Sequence, residues 1–503
     1  MEQTNHPQEA QPKDTAESLR PNFDFLQFDP AEVRSHLAEF TEPTEPLQHK
    51  DLLAELLNGL EPVDFGGVAK SDTVTEQHYL VITVEQLLQQ ARTAGWELSS
   101  NNGKLYLFNG AYWKPLETKQ LEFFLGEAAE RLGVNYFKAR DYRFKEKLVK
   151  QFESAAVLSS PEPSPELVLF NLKNGTFEVN AATGEKKLRG FSASDFLTYQ
   201  LPFEYSPEAE APLFQAYLDR VLPEPELQKV LAEYLGWVFV RHSSGKLKLE
   251  KVLVLYGSGA NGKSVFFEIT QALFGKDSYS TFSLESLTDN KGYHRASLAD
   301  KLVNYASEIS TKLEAAMFKQ LISGEPIEAR LPYGSPLVIS NYAKFIFNCN
   351  ELPREVEHSP AFWRRWLIVP FRVTIPREER DPELHKKIIS SELAGVFNWA
   401  LAGLERLLVQ EQFSNCEACT EAVEQFRKDS DSVSQFLEDE GWERSTNELQ
   451  TLKELYGRYT AYCAENGYHR VNNKHFKKRL EGVEVQTTRR AEGWCVFIQR
   501  RTV

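Results

Sequence analysis

No stretch of the 503-residue chain approaches the ~18 consecutive apolar residues of a membrane-crossing helix. The amino terminus, MEQTNHPQEAQPKD, lacks the basic and apolar regions of a secretory signal, so no membrane association is expected and a cytoplasmic location is. Cysteine is scarce: five residues with no dense framework fit a reducing compartment. Cys416 and Cys419 form a C-x-x-C, but no second C-x-x-C or H-x-x-H accompanies it. Ordinary packing is therefore favoured over half a zinc site or a redox pair. Positive charge is also short, and a net charge of −14 argues against a protein that coats nucleic acid over its whole surface. Residues 1–75 contain no D-x-D with a following histidine and no cysteine cluster, so a primase catalytic centre is not expected there.

What charge there is lies unevenly. Residues 1–75 hold 15 acids against 5 bases, whereas residues 451–503 hold 11 bases against 5 acids. An acidic head and a basic tail point to different partners. With 42% hydrophobic and 12% aromatic residues the chain is globular, and its length suits three or four domains.

One run organises the rest: KVLVLYGSGANGKSVFFEIT, Lys251 to Thr270. Gly257, Gly262, Lys263 and Ser264 satisfy G-x-x-x-x-G-K-[ST], the phosphate-cradling P-loop. The β-branched run Val252 to Tyr256 predicts a core parallel strand before it, and Val265 to Leu273 has helical spacing after it. Successive N–H groups from Gly257, Ser258, Gly259, Ala260, Asn261, Gly262, Lys263, Ser264 and Val265 would face an anion at a helix start. Lys263 would reach the β- and γ-phosphates of ATP, and the Ser264 hydroxyl would bind Mg²⁺. The competing reading is a chance glycine turn.

Along the chain, residues 1–75 read as an acidic flexible arm with short amphipathic pieces. Residues 78–160 read as a small α+β domain, with a helix at Val84 to Ala94 and a hairpin turning at Asn109–Gly110. Tyr106, Phe108, Tyr112 and Trp113 flank that turn, more plausibly as sheet core than as stacking platforms for bases. Residues 165–245 give a hairpin around Asn174–Gly175 and then a helical layer over Ala211 to Val240. Residues 246–400 hold the ATPase core, 401–430 a helical connector and 431–503 a basic module.

Within the core, the strand Leu302 to Ala306 delivers Glu308, placed to grip Mg²⁺ through water or to activate the attacking water. A solvated surface glutamate is the alternative. The strand Phe345 to Asn348 delivers Asn350, which can orient the lytic water or merely cap a turn. A hairpin is expected around Pro332 to Pro336. Arg365, with Arg364 as the adjacent candidate, stands just before an apolar strand and can project into a neighbour's nucleotide, or can serve as a surface ion-pair partner.

In the order Gly257–Ser264, Glu308, Lys319…Gly324…Arg330, Asn350, Arg364–Arg365, the chain resembles the superfamily three helicases, and more narrowly the C-terminal half of the phage and plasmid primase-helicase family. The blocks NGTFEVNAATGE, EYLGWVF, GSGANGKS, FKQLISGEPIEAR, KFIFNCNELP and FWRRWLIVPF carry the likeness, over about residues 165–400. The resemblance implies a multidomain α/β fold. It implies an AAA+-like P-loop ATPase core with a parallel sheet, which would follow the small α+β domain and helical layer read upstream and precede the C-terminal module, read below as a winged helix. It also implies a homo-oligomeric ring, a hexamer in this family, with ATP between subunits and 3′-to-5′ movement on single-stranded and forked DNA. On that resemblance Lys263, Ser264, Glu308 and Asn350 form the cis nucleotide site and Arg365 is the trans arginine finger. Lys319, Arg330 and Lys344 are the candidates to touch DNA or a neighbouring subunit. Ser307 stands where the family often has a first Walker B acid. No primase catalytic domain is recognised upstream, leaving room for a separate primase or polymerase partner.

The basic tail points to DNA independently. It reads as helix, turn, helix and two strands joined near Ala491 to Gly493, the order of a winged helix. Asn472 to Arg479 would be the recognition helix, with Lys474, Lys477 and Lys478 on phosphates and Arg489 and Arg490 on the wing. The leading expectation is an ATP-dependent DNA helicase of phage, plasmid or mobile-element replication. The alternatives are a P-loop small-molecule kinase and a DNA-binding or origin-recognition platform that does not unwind.

Overall fold

The computed structural model describes residues 48–101, 104–156, 164–242, 247–307, 309, 313–331, 336–353, 356–468 and 470–501. Its first unit comprises α1 (His49–Asn58), α2 (Phe65–Ala69), α3 (Glu76–Thr93), β1 (Glu97–Asn101), β2 (Lys104–Phe108), β3 (Trp113–Leu116), α4 (Thr118–Arg131), α5 (Tyr136–Arg140) and α6 (Tyr142–Ala155). The three strands pair antiparallel in chain order. Leu52 and Leu56 of α1 and Phe65 of α2 are buried with Leu87, Leu125 and Phe152. This corrects the flexible arm over 1–75: residues 48–75 form part of the first core, because LLAELL presents leucines at helical spacing. The remainder of the arm, residues 1–47, lies outside the described residues. Tyr106, Phe108 and Trp113 are buried against Phe196 and offer no stacking face.

A second antiparallel sheet, β4 (Leu167–Leu172), β5 (Gly175–Asn180) and β6 (Lys186–Arg189), leads into α7 (Pro212–Val221) and α8 (Pro225–Trp237). Both helices place proline in the first turn, where the missing N–H has no intrahelical partner to lose.

The central region runs β7 (Val252–Tyr256), α9 (Lys263–Phe274), β8 (Tyr279–Ser280), α10 (Leu284–Thr288), α11 (Tyr293–Ala296), β9 (Val303–Ala306), α12 (Ala315–Ser323), β10 (Ile327–Arg330), β11 (Pro336–Ile339), β12 (Lys344–Cys349), α13 (Pro360–Trp363) and β13 (Trp366–Pro370). Five strands form one parallel sheet in the order β13-β7-β12-β9-β8. Leu253 and Leu255 of β7 join one hydrophobic cluster and Val252 and Val254 another, so both faces of this strand are covered. That double burial explains the unbroken apolar run in the sequence. The strands β10 and β11 pair apart from the sheet as an antiparallel hairpin.

Three helices follow, α14 (Leu384–Ser391), α15 (Leu393–Gln410) and α16 (Glu417–Asp429). Residues 401–430 are not a connector between separate bodies. Leu401, Leu404 and Leu408 share a cluster with Leu253 and Leu255, and Phe426 packs against Trp363 and Trp366. Cys416 and Cys419 are both buried there, and no cluster of three or more metal-ligating side chains occurs among the described residues.

The last unit contains α17 (Ser432–Asp439), β14 (Trp442–Thr451), α18 (Leu452–Asn466), α19 (Asn473–Gly482), β15 (Thr487–Arg490) and β16 (Gly493–Arg500). Its antiparallel sheet has the order β14-β16-β15 and closes over Phe436, Tyr459, Phe476 and Ile498. Among the described residues, no helix is long and apolar enough to cross a membrane.

Candidate functional site

The loop between β7 and α9 is held in a curl from several sides. Gly257 accepts a hydrogen bond at its carbonyl from Lys263 Nζ at 2.6 Å, and its own N–H donates to Cys349 O on β12 at 3.1 Å. A β-carbon at Gly257 would lie 2.3 Å from Asn261 Nδ2 and 2.5 Å from Phe371 O, so only glycine fits. Gly262 has φ +90°, and a β-carbon there would come within 2.8 Å of Val221 on α7. Asn261 Nδ2 donates to Phe371 O at 3.2 Å while its Oδ1 accepts from Lys263 at 3.1 Å. Lys263 opens α9 at 5% exposure, and burial lowers its ammonium pKa below the usual lysine value. A cationic group held dry at a helix start favours an anion.

This curl forms one wall of a cleft of about 770 Å³. Ser264, Ser307, Asn348 and Asn350 line the same cleft, so three chain segments that the sequence separates by up to about 90 residues converge on it. Asn348 is 8% exposed and accepts a hydrogen bond from the buried Tyr305 hydroxyl at 2.9 Å, which fixes this second amide beside Asn350. Glu308 lies outside the described residues; its neighbour Ser307 is at the cleft.

The opposite wall was not foreseen. Tyr217 and Arg220 of α7, with Ile375 and Arg380 from the segment before α14, complete the cleft. Tyr217 donates its hydroxyl to Gly262 O at 2.9 Å, and Ile375 N–H donates to Ala260 O at 2.9 Å. The helical layer and the post-sheet segment are thus fastened directly to the glycine loop. In sequence Tyr217 reads only as part of an apolar helix face, and nothing in that pattern marks the hydroxyl.

The arginine pair stands elsewhere. The strand β13 pairs with β7 in parallel register, Trp366 opposite Val252 and Pro370 opposite Tyr256. Arg364 and Arg365 therefore sit at the amino end of the sheet and the glycine loop at its carboxyl end, separated by a five-residue strand rising roughly 13 Å. Arg365 is 6% exposed. It donates to Ser323 Oγ at 2.6 Å, contacts Ala361 O and pairs with Glu250 at 3.1 Å. Burial lowers its pKa, with Glu250 acting in the opposite sense. Arg364 has 62% of its side chain exposed and pairs with the same Glu250 at 2.6 Å.

Of the residues expected to meet DNA, Lys319 pairs with Glu357 at 2.9 Å, and Arg330 is exposed at the end of β10 beside the hairpin tip, whose residues 332–335 are not described. Lys344 is not at a surface: it is 4% exposed, sits 4.3 Å over the Trp237 ring and lies 3.0 Å from His242 Nδ1. It begins a central strand, which turns its side chain into the interior. On α19, Lys474 and Lys478 are exposed, while Lys477 lies over the Trp494 ring and pairs with Glu481 at 3.3 Å. Arg489 and Arg490 are exposed on β15.

Three family descriptions match parts of this architecture. Residues 84–223 match "D5 N terminal like", residues 255–365 match a family of unknown function (DUF5906), and residues 428–503 match "Poxvirus D5 protein-like". Over 248 residues the chain is 26% identical to the Acanthamoeba polyphaga mimivirus protein named "Putative helicase L207/L206", covering 48% of this chain and 25% of that one. The chain thus spans about a quarter of the length of this curated relative. Two solved structures of the NrS-1 C-terminal region align over 84% and 83% of this chain and 100% and 99% of theirs. Their identities are 14% and 15% and their TM-scores 0.45 and 0.47, a level that carries no argument about fold or function. The two D5-like matches thus fall on either side of the central sheet.

Proposed function

We propose that this chain is an ATP-driven DNA helicase of superfamily three, working as a ring in phage, plasmid or mobile-element replication and moving 3′-to-5′ on single-stranded DNA. The observation that carries the reading is the split placement of its charged groups. The loop with Lys263 lies at one end of the parallel sheet and Arg364 and Arg365 at the other, so neither of this pair can close onto the cleft of its own chain, whose lining arginines are Arg220 and Arg380.

Within one chain, the loop from Gly257 to Val265 would cradle the phosphates of ATP, with Lys263 turning from the Gly257 carbonyl to the anion. The tight fit at Gly257 and Gly262 suits a backbone wrapped closely around phosphate oxygens. Ser264 and Glu308 would hold Mg²⁺, which when bound neutralises charge on the β- and γ-phosphates. Asn350, or the fixed amide of Asn348, would orient the attacking water. The arginine offered to the neighbouring subunit is Arg364 in preference to Arg365, since it is exposed and leaves only a solvent-accessible ion pair. Arg365 instead positions the turn from inside. The hairpin of β10 and β11, with Arg330 and Lys319 nearby, would face DNA in the ring. The C-terminal unit would be a winged helix presenting Lys474, Lys478, Arg489 and Arg490 to phosphates.

Unwinding of a forked duplex with a 3′ single-stranded tail tests this reading, with particle mass measured alongside. ATP-dependent strand release by an oligomer, lost in Lys263→Ala, is the expected result. ATP hydrolysis and DNA binding with no release from forks of either polarity would move the protein to a platform that binds DNA without unwinding it.

A further inference from the structure

The N-terminal unit carries a surface that the ATPase reading does not use. Around α5 and the start of α6, large rings that could be buried are left in water: Tyr136 is 49% exposed, Phe137 81% and Tyr142 60%. Cations stand over two of them. The Arg140 guanidinium lies 4.3 Å from the Tyr136 ring centroid, and that of Arg143 lies 5.5 Å from the Tyr142 ring while its Nε donates to the Tyr142 hydroxyl at 2.9 Å. Tyr136 and Phe137 themselves meet edge to face at 5.3 Å, so the two rings present differently oriented faces. On the adjoining α4, Phe123 is a further ring at 63% exposure.

Charge gives the occupant. Residues 136–150 hold six bases and two acids in a chain whose net charge is −14, and although Glu130 of α4 pairs with Arg140 at 3.0 Å, the segment keeps an excess of bases. A patch of opposite sign to its own molecule, with exposed aromatic faces set among guanidinium groups, suits a flexible polyanion whose monomers stack. We propose that this surface binds single-stranded nucleic acid, the bases stacking on Phe137 and Tyr142 and the phosphates meeting Arg140 and Arg143. An acidic polypeptide satisfies the charge but leaves the exposed rings unexplained. Of the hairpin aromatics singled out in the sequence as a stacking alternative, Tyr106, Phe108 and Trp113 are core and Tyr112 is half-buried; the exposed rings lie on the helices that follow.

The surface acts independently of ATP, so its test is run without nucleotide, and a protein with no ATPase activity leaves the result intact. The full chain is titrated with fluorescent oligo-dT of about 20 nucleotides at low salt, and 5-iodouracil-substituted oligonucleotide is photocrosslinked to map the contact. A comparison in a background that carries Lys474→Ala, Lys478→Ala, Arg489→Ala and Arg490→Ala removes the C-terminal candidate surface. The double variant Phe137→Ala/Tyr142→Ala should weaken binding roughly tenfold or more in that background, at unchanged particle mass and melting temperature. Crosslinks should fall between Phe123 and Arg143. Unchanged affinity with crosslinks elsewhere overturns the proposal. A change in particle mass without a change in DNA affinity also overturns it, since the patch would then join copies of the chain. Competition by poly-glutamate together with unchanged oligo-dT affinity in the variant assigns the patch to an acidic protein and equally overturns it.

Discussion

Glu250 holds two neighbouring arginines that behave differently because their burial differs. Arg365 is enclosed with Ser323 and Ala361, whereas Arg364 reaches water. Removing a partner from a buried ion pair costs about 3 kcal/mol or more, while an exposed pair contributes about 1 kcal/mol or less. Arg365→Ala should therefore lower the melting temperature by several degrees. Arg364→Ala should leave it nearly unchanged but reduce ATP turnover about 10³-fold, the scale of a lost arginine finger. Thermal melts and ATPase rates on the same preparations check the contrast. Lys344 gives a second prediction. Burial pushes its pKa down to about 7, below the unfolded lysine value of 10.5. Between those values the unfolded chain binds the extra proton, so this residue's penalty is full below pH 7 and is relieved as pH rises toward 10.5. Lys344→Met should flatten the rise in stability that the wild type shows between pH 7 and 9, read from denaturant midpoints.

The helix α7 reaches the glycine loop through Tyr217 and sets Val221 beside Gly262. Gly262→Ala meets both obstacles at once, a φ of +90° and a β-carbon 2.8 Å from Val221. Strain of this kind costs about 1–3 kcal/mol, so ATP affinity should fall roughly tenfold to hundredfold in a calorimetric titration, with the chain still folded. How far each element was legible follows from its surroundings. The strand β7 was readable because both its faces are buried, and the hairpin turning at Asn109–Gly110 because that dipeptide suits the turn. The strand β14 was not, since WERSTNELQT buries little beyond Trp442 and shows no apolar alternation. The helix α1 shows in the sequence as a short amphipathic piece within the acidic arm, but not as part of the first core, because its leucines pack with helices far along the chain. At the cleft, the glycine loop announced itself by its spacing. The Tyr217 hydroxyl, the Asn348 amide and Arg380 did not, because their roles arise from chain segments that meet only after folding.

On the proposed function, the molecule as a whole is an incomplete enzyme. The cleft and the exposed Arg364 lie at opposite ends of one sheet, and on the proposed function each would need a second copy to be used. Turnover per chain should consequently rise with protein concentration through the range where particle mass increases. The most direct test mixes two inactive proteins. Lys263→Ala lacks the phosphate contact and Arg364→Ala lacks the arginine, but an interface between them can pair an intact Lys263 from one chain with an intact Arg364 from the other. The account predicts that the mixture regains a substantial fraction of wild-type ATP hydrolysis while each variant alone stays inactive. No recovery, in a mixture shown by mass to contain both chains in the same particle, would contradict a shared site.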